Sequence, residues 1–316
     1  MRAAALVVSA RAALDGATAR LAAAGVETPR VDAEWLLAGI CGVGRAALSA
    51  RLGAALPPAI VAGYEAAVAR RATREPLQRI LGWEEFCGLR FAVTPGVMIP
   101  RPETETLVER ALALLPPPGN VTRHVIEVGT GTGCIACALA AARRDVRVVA
   151  VDVSEEAVRL ARRSAAALGL ADRVSVVAAD LFAGLDRMEA DLVVSNPPYL
   201  PGAALAGLAP EVAEHDPRLA LDGGADGLRL IRRLAAEAPA RLAPGGALAL
   251  ETAGGDQAPE AAALMRDAGF VDVTLHSDLT GVQRFVTGVK PRAGTPPLRA
   301  RALPVEAPAD LCPRDS

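Results

Sequence analysis

Glu127-Val128-Gly129-Thr130-Gly131-Thr132-Gly133 decides how this 316-residue chain is read. The stretch follows a short apolar run, 124–128, and opens a helical pattern, 134–143. Glycine at every second position lets the backbone approach a ligand closely. A Gly-rich turn between a strand and a helix belongs at the carboxyl edge of a parallel sheet, where nucleotides bind. Outward from it the chain alternates. Further strand patterns lie at 146–151, 174–178, 192–195, 247–251, 271–275 and 284–288, and helical patterns at 155–168, 228–242 and 257–268. Seven strands alternating in this way with helices predict an α/β fold built on a parallel, doubly wound sheet.

The strand after the Gly-rich turn ends in Asp152, nineteen positions beyond Gly133. A carboxylate there accepts hydrogen bonds from ribose hydroxyls. The next strand ends in Asp180-Leu181-Phe182, placed to face an adenine. Three consecutive strand ends with cleft chemistry indicate a nucleoside ligand. Two cofactor classes share this geometry. Gly131-x-Gly133-x-x-Ala136 imitates the NAD pattern, and Glu127-x-Gly129-x-Gly131-x-Gly133 fits the looser adenosylmethionine pattern throughout.

The fourth strand separates the two. It runs into Asn196-Pro197-Pro198-Tyr199. Consecutive prolines remove two backbone donors and fix the loop dihedrals. Asn196 then projects from a rigid frame beside the free carbonyl of Pro197. An amide oxygen and a peptide carbonyl can together hold both hydrogens of an NH2 group, and Tyr199 can pack on a planar group.

The flanks set the domain plan. Residues 1–75 read as four or five short helices, with a turn at Thr28-Pro29-Arg30 and a helix opened by Pro57-Pro58. Trp83, Phe86, Leu89, Phe91 and Val93 bracket Gly88 and predict a β-hairpin within a linker, 76–100. Residues 101–290 carry the α/β pattern. Residues 291–316, rich in Pro, Arg and Ala, read as a disordered tail.

Composition narrows the function further. Thirty-four basic and 36 acidic residues give a net charge of −2, which speaks against a protein that coats nucleic acid. A 52% hydrophobic content with that small charge excludes disorder across the whole chain. Asn196 and four prolines bar 192–210 from spanning a membrane as a helix. Arg2 and Ala3–Ala10 imitate a signal peptide, but Arg11 and Asp15 interrupt it, so the expectation is a cytoplasmic protein. Five cysteines fit reduced thiols better than a disulfide framework.

The chain resembles the protein-(glutamine-N5) methyltransferases of peptide chain release factors, the PrmC/HemK family. The resemblance covers about residues 15–290. It is carried by Pro29-Arg30-Val31-Asp32-Ala33-Glu34, Arg74-Glu75-Pro76-Leu77-Gln78, Ile80-Leu81-Gly82, Ile99-Pro100-Arg101-Pro102-Glu103-Thr104-Glu105, the Gly-rich turn, Asn196–Tyr199 and 211–221. The N-P-P-Y motif alone is shared with DNA adenine and RNA guanine methyltransferases.

The resemblance implies a Rossmann-like, seven-stranded methyltransferase sheet with a small helical-bundle domain in front. It implies S-adenosylmethionine as cofactor. Gly129, Thr130, Gly131, Thr132 and Gly133 would line its methionine part, Asp152 its ribose, and Asp180 with Leu181 its adenine. Asn196, which would also touch the cofactor, and Pro197 would bind the glutamine amide of the Gly-Gly-Gln motif of a release factor, with Pro198 also on the substrate side and Tyr199 packing against the amide. Relatives often carry an aromatic where Leu181 stands, and Glu251-Thr252-Ala253-Gly254 departs from the commoner Glu-x-Gly.

Other residues carry weaker signals. Cys134-x-x-Cys137 has metal spacing, but no second pair or nearby His completes a site, so packing is expected and no metal is assigned. His124, His215 and His276 are scattered. His215-Asp216-Pro217-Arg218 either shapes the substrate mouth or is a solvated loop. Arg101 and Glu103 either close over the cofactor or pair with each other. Arg70, Arg71 and Arg74 read as a solvated helix face. Two competing readings remain: a nucleic-acid base methyltransferase, which needs a local basic groove, and a non-catalytic nucleotide-binding scaffold.

Overall fold

The computed structural model describes residues 8–186 and 188–292. Most of the segment read as a tail, and the first residues of the signal-like stretch, lie outside the described residues. Five helices come first: α1 (Ala10–Ala23), α2 (Pro29–Cys41), α3 (Arg45–Ser49), α4 (Pro58–Ala72) and α5 (Leu77–Leu81). Ser9 caps α1 by accepting from the Ala12 N–H. Pro29 and Arg30, read as a turn, instead form the first turn of α2, where proline's fixed φ suits the helix and its missing N–H is not needed. Leu14, Leu21, Leu36, Leu37 and Tyr64 fill the core between these helices. The short α5 falls inside the segment read as a linker. Gly82 ends it in the left-handed conformation at φ 81°.

The hairpin follows as β1 (Trp83–Phe86) and β2 (Leu89–Ala92), paired antiparallel. Helix α6 (Thr104–Leu114) leads into the alternating region: β3 (Arg123–Val128), α7 (Cys134–Ala142), β4 (Val146–Asp152), α8 (Glu155–Ala167), β5 (Val174–Ala178) and β6 (Ala190–Ser195). After β6 the chain makes two single-turn helices, α9 (Pro210–Ala213) and α10 (Arg218–Leu221). It then enters α11 (Arg229–Glu237), β7 (Leu242–Glu251), α12 (Gln257–Asp267), β8 (Val271–Ser277) and β9 (Gln283–Val289). Helix α11 stops short of the expected 242 because a 3₁₀ turn containing Pro239 replaces its last turn.

The sheet has the order β5-β4-β3-β6-β7-β9-β8. Seven strands were expected, but the sheet is mixed rather than wholly parallel. β9 runs antiparallel to both β7 and β8. The reason is the short connection between Ser277 and Gln283, which can turn a hairpin but cannot carry the crossover that parallel strands need.

Alternate strand residues feed two cores. Val125, Val148, Leu192 and Ala249 face α6, α7 and α8, while Ile126, Val193, Leu248 and Val286 face α11 and α12. Ile231 and Leu234 of α11 are fully buried, each contributing on the order of 1.5–3 kcal/mol through apolar burial.

Two ion clusters join the first helices to the loop after β6. Arg71, just 7% exposed at its side chain, binds Asp32 at 2.7 Å and Glu211 of α9 at 2.9 Å. Arg74 grips Glu211 through Nε and Nη2, both at 2.7 Å. Arg71 and Arg74 are therefore not a solvated face, although Arg70 pairs with Glu75 at a half-exposed position. The helical pattern could not show this, because the partner carboxylate lies 137 positions away from Arg74. In the second cluster, buried Asp216 accepts from Arg101 at 2.5 Å and stands 3.6 Å from Arg79. Arg79 also donates to the His215 carbonyl at 2.6 Å. Arg101 thus pairs with Asp216 rather than with Glu103, and Asp216 is a buried anchor, while Arg218 beside it is exposed.

Candidate active site

The sheet order places the two motifs side by side. Strand β3 lies between β4 and β6, and Val128 pairs with Ser195 of β6 and with Val151 of β4. The residues that follow, Gly129, Asn196 and Asp152, therefore emerge together at the carboxyl edge. Connections leave the neighbouring strands β3 and β6 in opposite directions, toward β4 and β7, which opens the crevice in which doubly wound folds bind ligands. Asp152 pairs with Ala178 of β5, so Asp180 reaches the same edge two residues later.

Gly129, Gly131 and Gly133 all hold positive φ, at 76°, 54° and 83°. Gly133 also touches α8: a Cβ there would stand 3.1 Å from the Ala161 Cα. The turn therefore needs glycine for its conformation and for close helix packing at once. The Gly131 N–H donates to Asp152 Oδ2 and the Ser154 N–H to Oδ1, both at 2.9 Å. Burial raises the Asp152 pKa against the opposing effect of these backbone donors.

A cavity of about 440 Å³ opens over this edge. Gly129, Gly131, Asp152, Asp180, Leu181, Asn196 and Pro198 all line it. Its size lies within the range of small-molecule sites, ~300–1,000 Å³. Glycines that leave backbone room, a strand-end carboxylate and apolar walls suit an adenosylmethionine. Thr130, Thr132 and Gly133 do not reach the cavity wall. The Thr130 hydroxyl donates instead to Glu127 Oε2 at 2.6 Å, beneath the turn. Burial pushes the fully enclosed Glu127 carboxyl up to about 8, with Thr130 opposing and Asp152 reinforcing the shift. The Asp180 carboxylate, at the rim, is held by Arg233 of α11 at 3.0 Å. Leu181 is 2% exposed and adopts φ 51°, a conformation uncommon outside glycine.

A second cavity, about 140 Å³, adjoins the first. Arg101, Glu103, Asn196, Pro197 and Tyr199 line it. Asn196 thus stands in both walls. Its Nδ2 donates to the Thr104 hydroxyl of α6 at 3.1 Å. The Tyr199 hydroxyl donates to Glu251 Oε1 at 3.4 Å, and burial together with that carboxylate raises the phenol's pKa, keeping it neutral.

Sequence reasoning missed several wall residues. Gly96, Val97 and Met98, just before the Ile-Pro-Arg-Pro segment, form one side of the larger cavity, and Leu230 and Arg233 another. The rigid prolines around 95–102 were a usable signal for the first group; a helix-face arginine such as Arg233 carries none. Thr104 and Glu251 were also missed as partners of the motif. Cys134 and Cys137 are buried on α7 in the core, and burial raises both thiols, Cys137 to about 12. The four described cysteines are free thiols.

The PrmC N-terminal domain model matches residues 12–82, and the methyltransferase small domain model matches 105–215. The release factor glutamine methyltransferase of Geobacter sulfurreducens is 44% identical over 278 residues, covering 88% of this chain and 95% of the relative. This chain belongs to the release factor glutamine methyltransferase family. The member from Mycolicibacterium smegmatis is 46% identical over 281 residues, covering 89% of this chain and 97% of its own length. A solved structure of a release-factor-specific protein-(glutamine-N5) methyltransferase from Alicyclobacillus acidocaldarius is 33% identical, with a TM-score of 0.38, covering 64% of this chain and 99% of that one. Like its family, this chain is an adenosylmethionine-dependent methyltransferase with a Rossmann-like seven-stranded sheet. Among the described residues no helix is long and apolar enough to cross a membrane.

Proposed function

We infer that the chain methylates the side-chain amide nitrogen, N5, of the glutamine in the Gly-Gly-Gln motif of peptide chain release factors. One observation carries this reading: Asn196 lies in the wall of two adjoining cavities, one fit for the cofactor and one rimmed by polar groups. S-adenosylmethionine, when bound, supplies an electrophilic methyl group. The protein's part is positional. An amide nitrogen is a poor nucleophile because its lone pair is delocalised into the carbonyl. Asn196 Oδ1 and the Pro197 carbonyl accept its two hydrogens and aim the nitrogen at the larger cavity. Alignment of this kind lowers barriers by ~7 kcal/mol or more, and the same acceptors favour the positive charge that develops on nitrogen. Tyr199 packs against the amide plane. The alkylated amide is strongly acidic, so its proton leaves without a dedicated base.

In this reading Gly129, Gly131 and Asp152 hold the methionine and ribose, and Asp180 with Leu181 the adenine. Thr130, Thr132 and Gly133 shape the turn from beneath, and Arg233 of α11 holds the Asp180 carboxylate at the rim. Replacing Asp152 with alanine weakens adenosylmethionine binding by about 2 kcal/mol, the worth of a charge-assisted hydrogen bond to ribose. Calorimetry on the folded variant measures it, and unchanged affinity would remove Asp152 from the ribose site.

A single glutamine amide exposes too little surface to be told from thousands of others. Remote contacts must supply the selection, with their binding energy used for orientation. We assign that role to residues 1–75, linked through 76–100 to the catalytic region 101–290. With a release factor as substrate, the location proposed for the chain is the cytoplasm. The test measures methyl transfer to an intact release factor, a Gly-Gly-Gln peptide, free glutamine, and DNA or RNA. Intact factor should be methylated far faster than peptide, and free glutamine hardly at all. Transfer to nucleic acid alone would overturn the substrate assignment.

A further inference from the structure

The smaller cavity holds a strong donor that the mechanism above leaves unused. Arg101 lines it beside Asn196, Pro197 and Tyr199, and does not line the larger one. Pro100 and Pro102 flank it. A proline restricts the residue before it to extended backbone, so Arg101 starts from a nearly fixed main chain. Its Nη2 donates to Asp216 Oδ2 at 2.5 Å, and the Asp216 side chain is wholly enclosed. Arg79, 6% exposed at its side chain, stands 3.6 Å from the other oxygen of Asp216 and donates to the His215 carbonyl. The anchor is thus held from both sides. Arg101 is 28% exposed at its side chain, and among the described residues its Nε and Nη1 have no hydrogen-bond partner.

A guanidinium carries five donors and no acceptor. Asp216 takes one of them, so the others serve whatever enters the cavity. Two arginines share one carboxylate here, and the cluster keeps a net positive charge. In the amide-methylation reading the occupant is a Gly-Gly-Gln segment. Asn196 and Pro197 take both amide hydrogens. The acceptors left on the segment are the amide oxygen and the main-chain carbonyls, because glycine has no side chain to offer. A cation on the amide oxygen would draw the nitrogen lone pair further into the carbonyl and slow the transfer. A main-chain carbonyl carries no such penalty.

We propose that Arg101, braced by Asp216, is a substrate-binding residue that donates to a main-chain carbonyl of the Gly-Gly-Gln segment and so recognises the peptide on which the glutamine is carried. This rests on the amide-methylation reading above. The brace gives the contact its value: a donor already fixed by Pro102 and Asp216 loses little freedom when the substrate arrives.

The test uses the full-length chain with an intact release factor, a Gly-Gly-Gln peptide, and versions of that peptide in which one main-chain carbonyl oxygen of the motif is replaced by sulfur, a weaker acceptor. Adenosylmethionine affinity is measured alongside by calorimetry. Arg101→Met keeps an unbranched stem without the donors. It should raise KM for factor and peptide about 30-fold, the scale of a lost hydrogen bond to a charged group. Both kcat and cofactor affinity should change less than about threefold, as expected when ground state and transition state lose the same contact. Arg101→Lys keeps the charge without the fork and should fall between Arg101→Met and the parent. One sulfur peptide should raise the parent's KM about fivefold and match the unmodified peptide with Arg101→Met, because either change removes the same contact. A purely structural Arg101 would not be coupled to the peptide's chemistry in this way. Sulfur effects equal in the parent and Arg101→Met, or a loss confined to kcat or to cofactor affinity, would overturn the proposal. Should Arg101→Met not fold, Arg101→Lys decides: a sulfur effect undiminished from the parent's would overturn it equally. Absence of methylation of the intact factor by the parent chain would instead overturn the functional reading on which it rests.

Discussion

Asn196→Ala lowers turnover on an intact release factor by ~100-fold or more, the scale of losing one positioned transition-state contact. The side chain lies at the junction of the two cavities, so its loss removes one of two acceptors for the substrate amide. The Pro197 carbonyl remains, which leaves one hydrogen held and the nitrogen free to rotate. Adenosylmethionine affinity falls less, because the Gly-rich turn and Asp152 are untouched. Steady-state kinetics and calorimetry on the same preparation separate the two effects. A variant that turns over at the parent rate would reduce the N-P-P-Y loop to a rigid turn.

Glu211→Ala is the substitution expected to cost the most stability, about 3 kcal/mol, because it strands cations at a mostly buried junction. Glu211 is 19% exposed at its side chain and receives hydrogen bonds from both Arg71 and Arg74. Burial opposes its charge, but the Arg74 and Arg71 hydrogen bonds outweigh it and hold the carboxyl at about 2. The folded pKa is therefore below that of the unfolded chain. The group's contribution is complete above the ordinary carboxylate range of about 4.5 and is lost as pH falls toward 2. The stability gap between parent and variant, measured by denaturant melts, should be widest at neutral pH and close on acidification. A gap under about 0.5 kcal/mol at pH 7 would mean that the junction is no stronger than a surface ion pair. The same variant should lose more activity on intact factor than on a Gly-Gly-Gln peptide, since Glu211 ties the helices assigned to substrate recognition to the loop after β6.

The local signals were strong where the backbone itself is the functional element. Alternate glycines with positive φ, a strand-end Asp152 and two consecutive prolines after Asn196 are conformational statements, and each is legible one residue at a time. Strand positions were equally legible, because the buried strands of a doubly wound sheet are continuous apolar runs. The direction of β9 was not, since hydrophobic pattern is the same for parallel and antiparallel neighbours.

Side-chain partnership is the boundary. From the chain alone follow the α/β fold, the cleft at the carboxyl edge of β3 and β6, and the residue types that hold a nucleoside and an NH2 group. Folding alone settled that Arg101 answers Asp216, that Arg71 and Arg74 answer Glu211, and that Thr104 and Glu251 stand behind Asn196 and Tyr199. Arg74 and Glu211 lie 137 positions apart and Tyr199 and Glu251 lie 52 apart, so no periodicity links them. Backbone preference is a property of a few adjacent residues, whereas the pairing of a buried charge depends on which distant carboxylate or hydroxyl the packed core brings within about 3 Å of it.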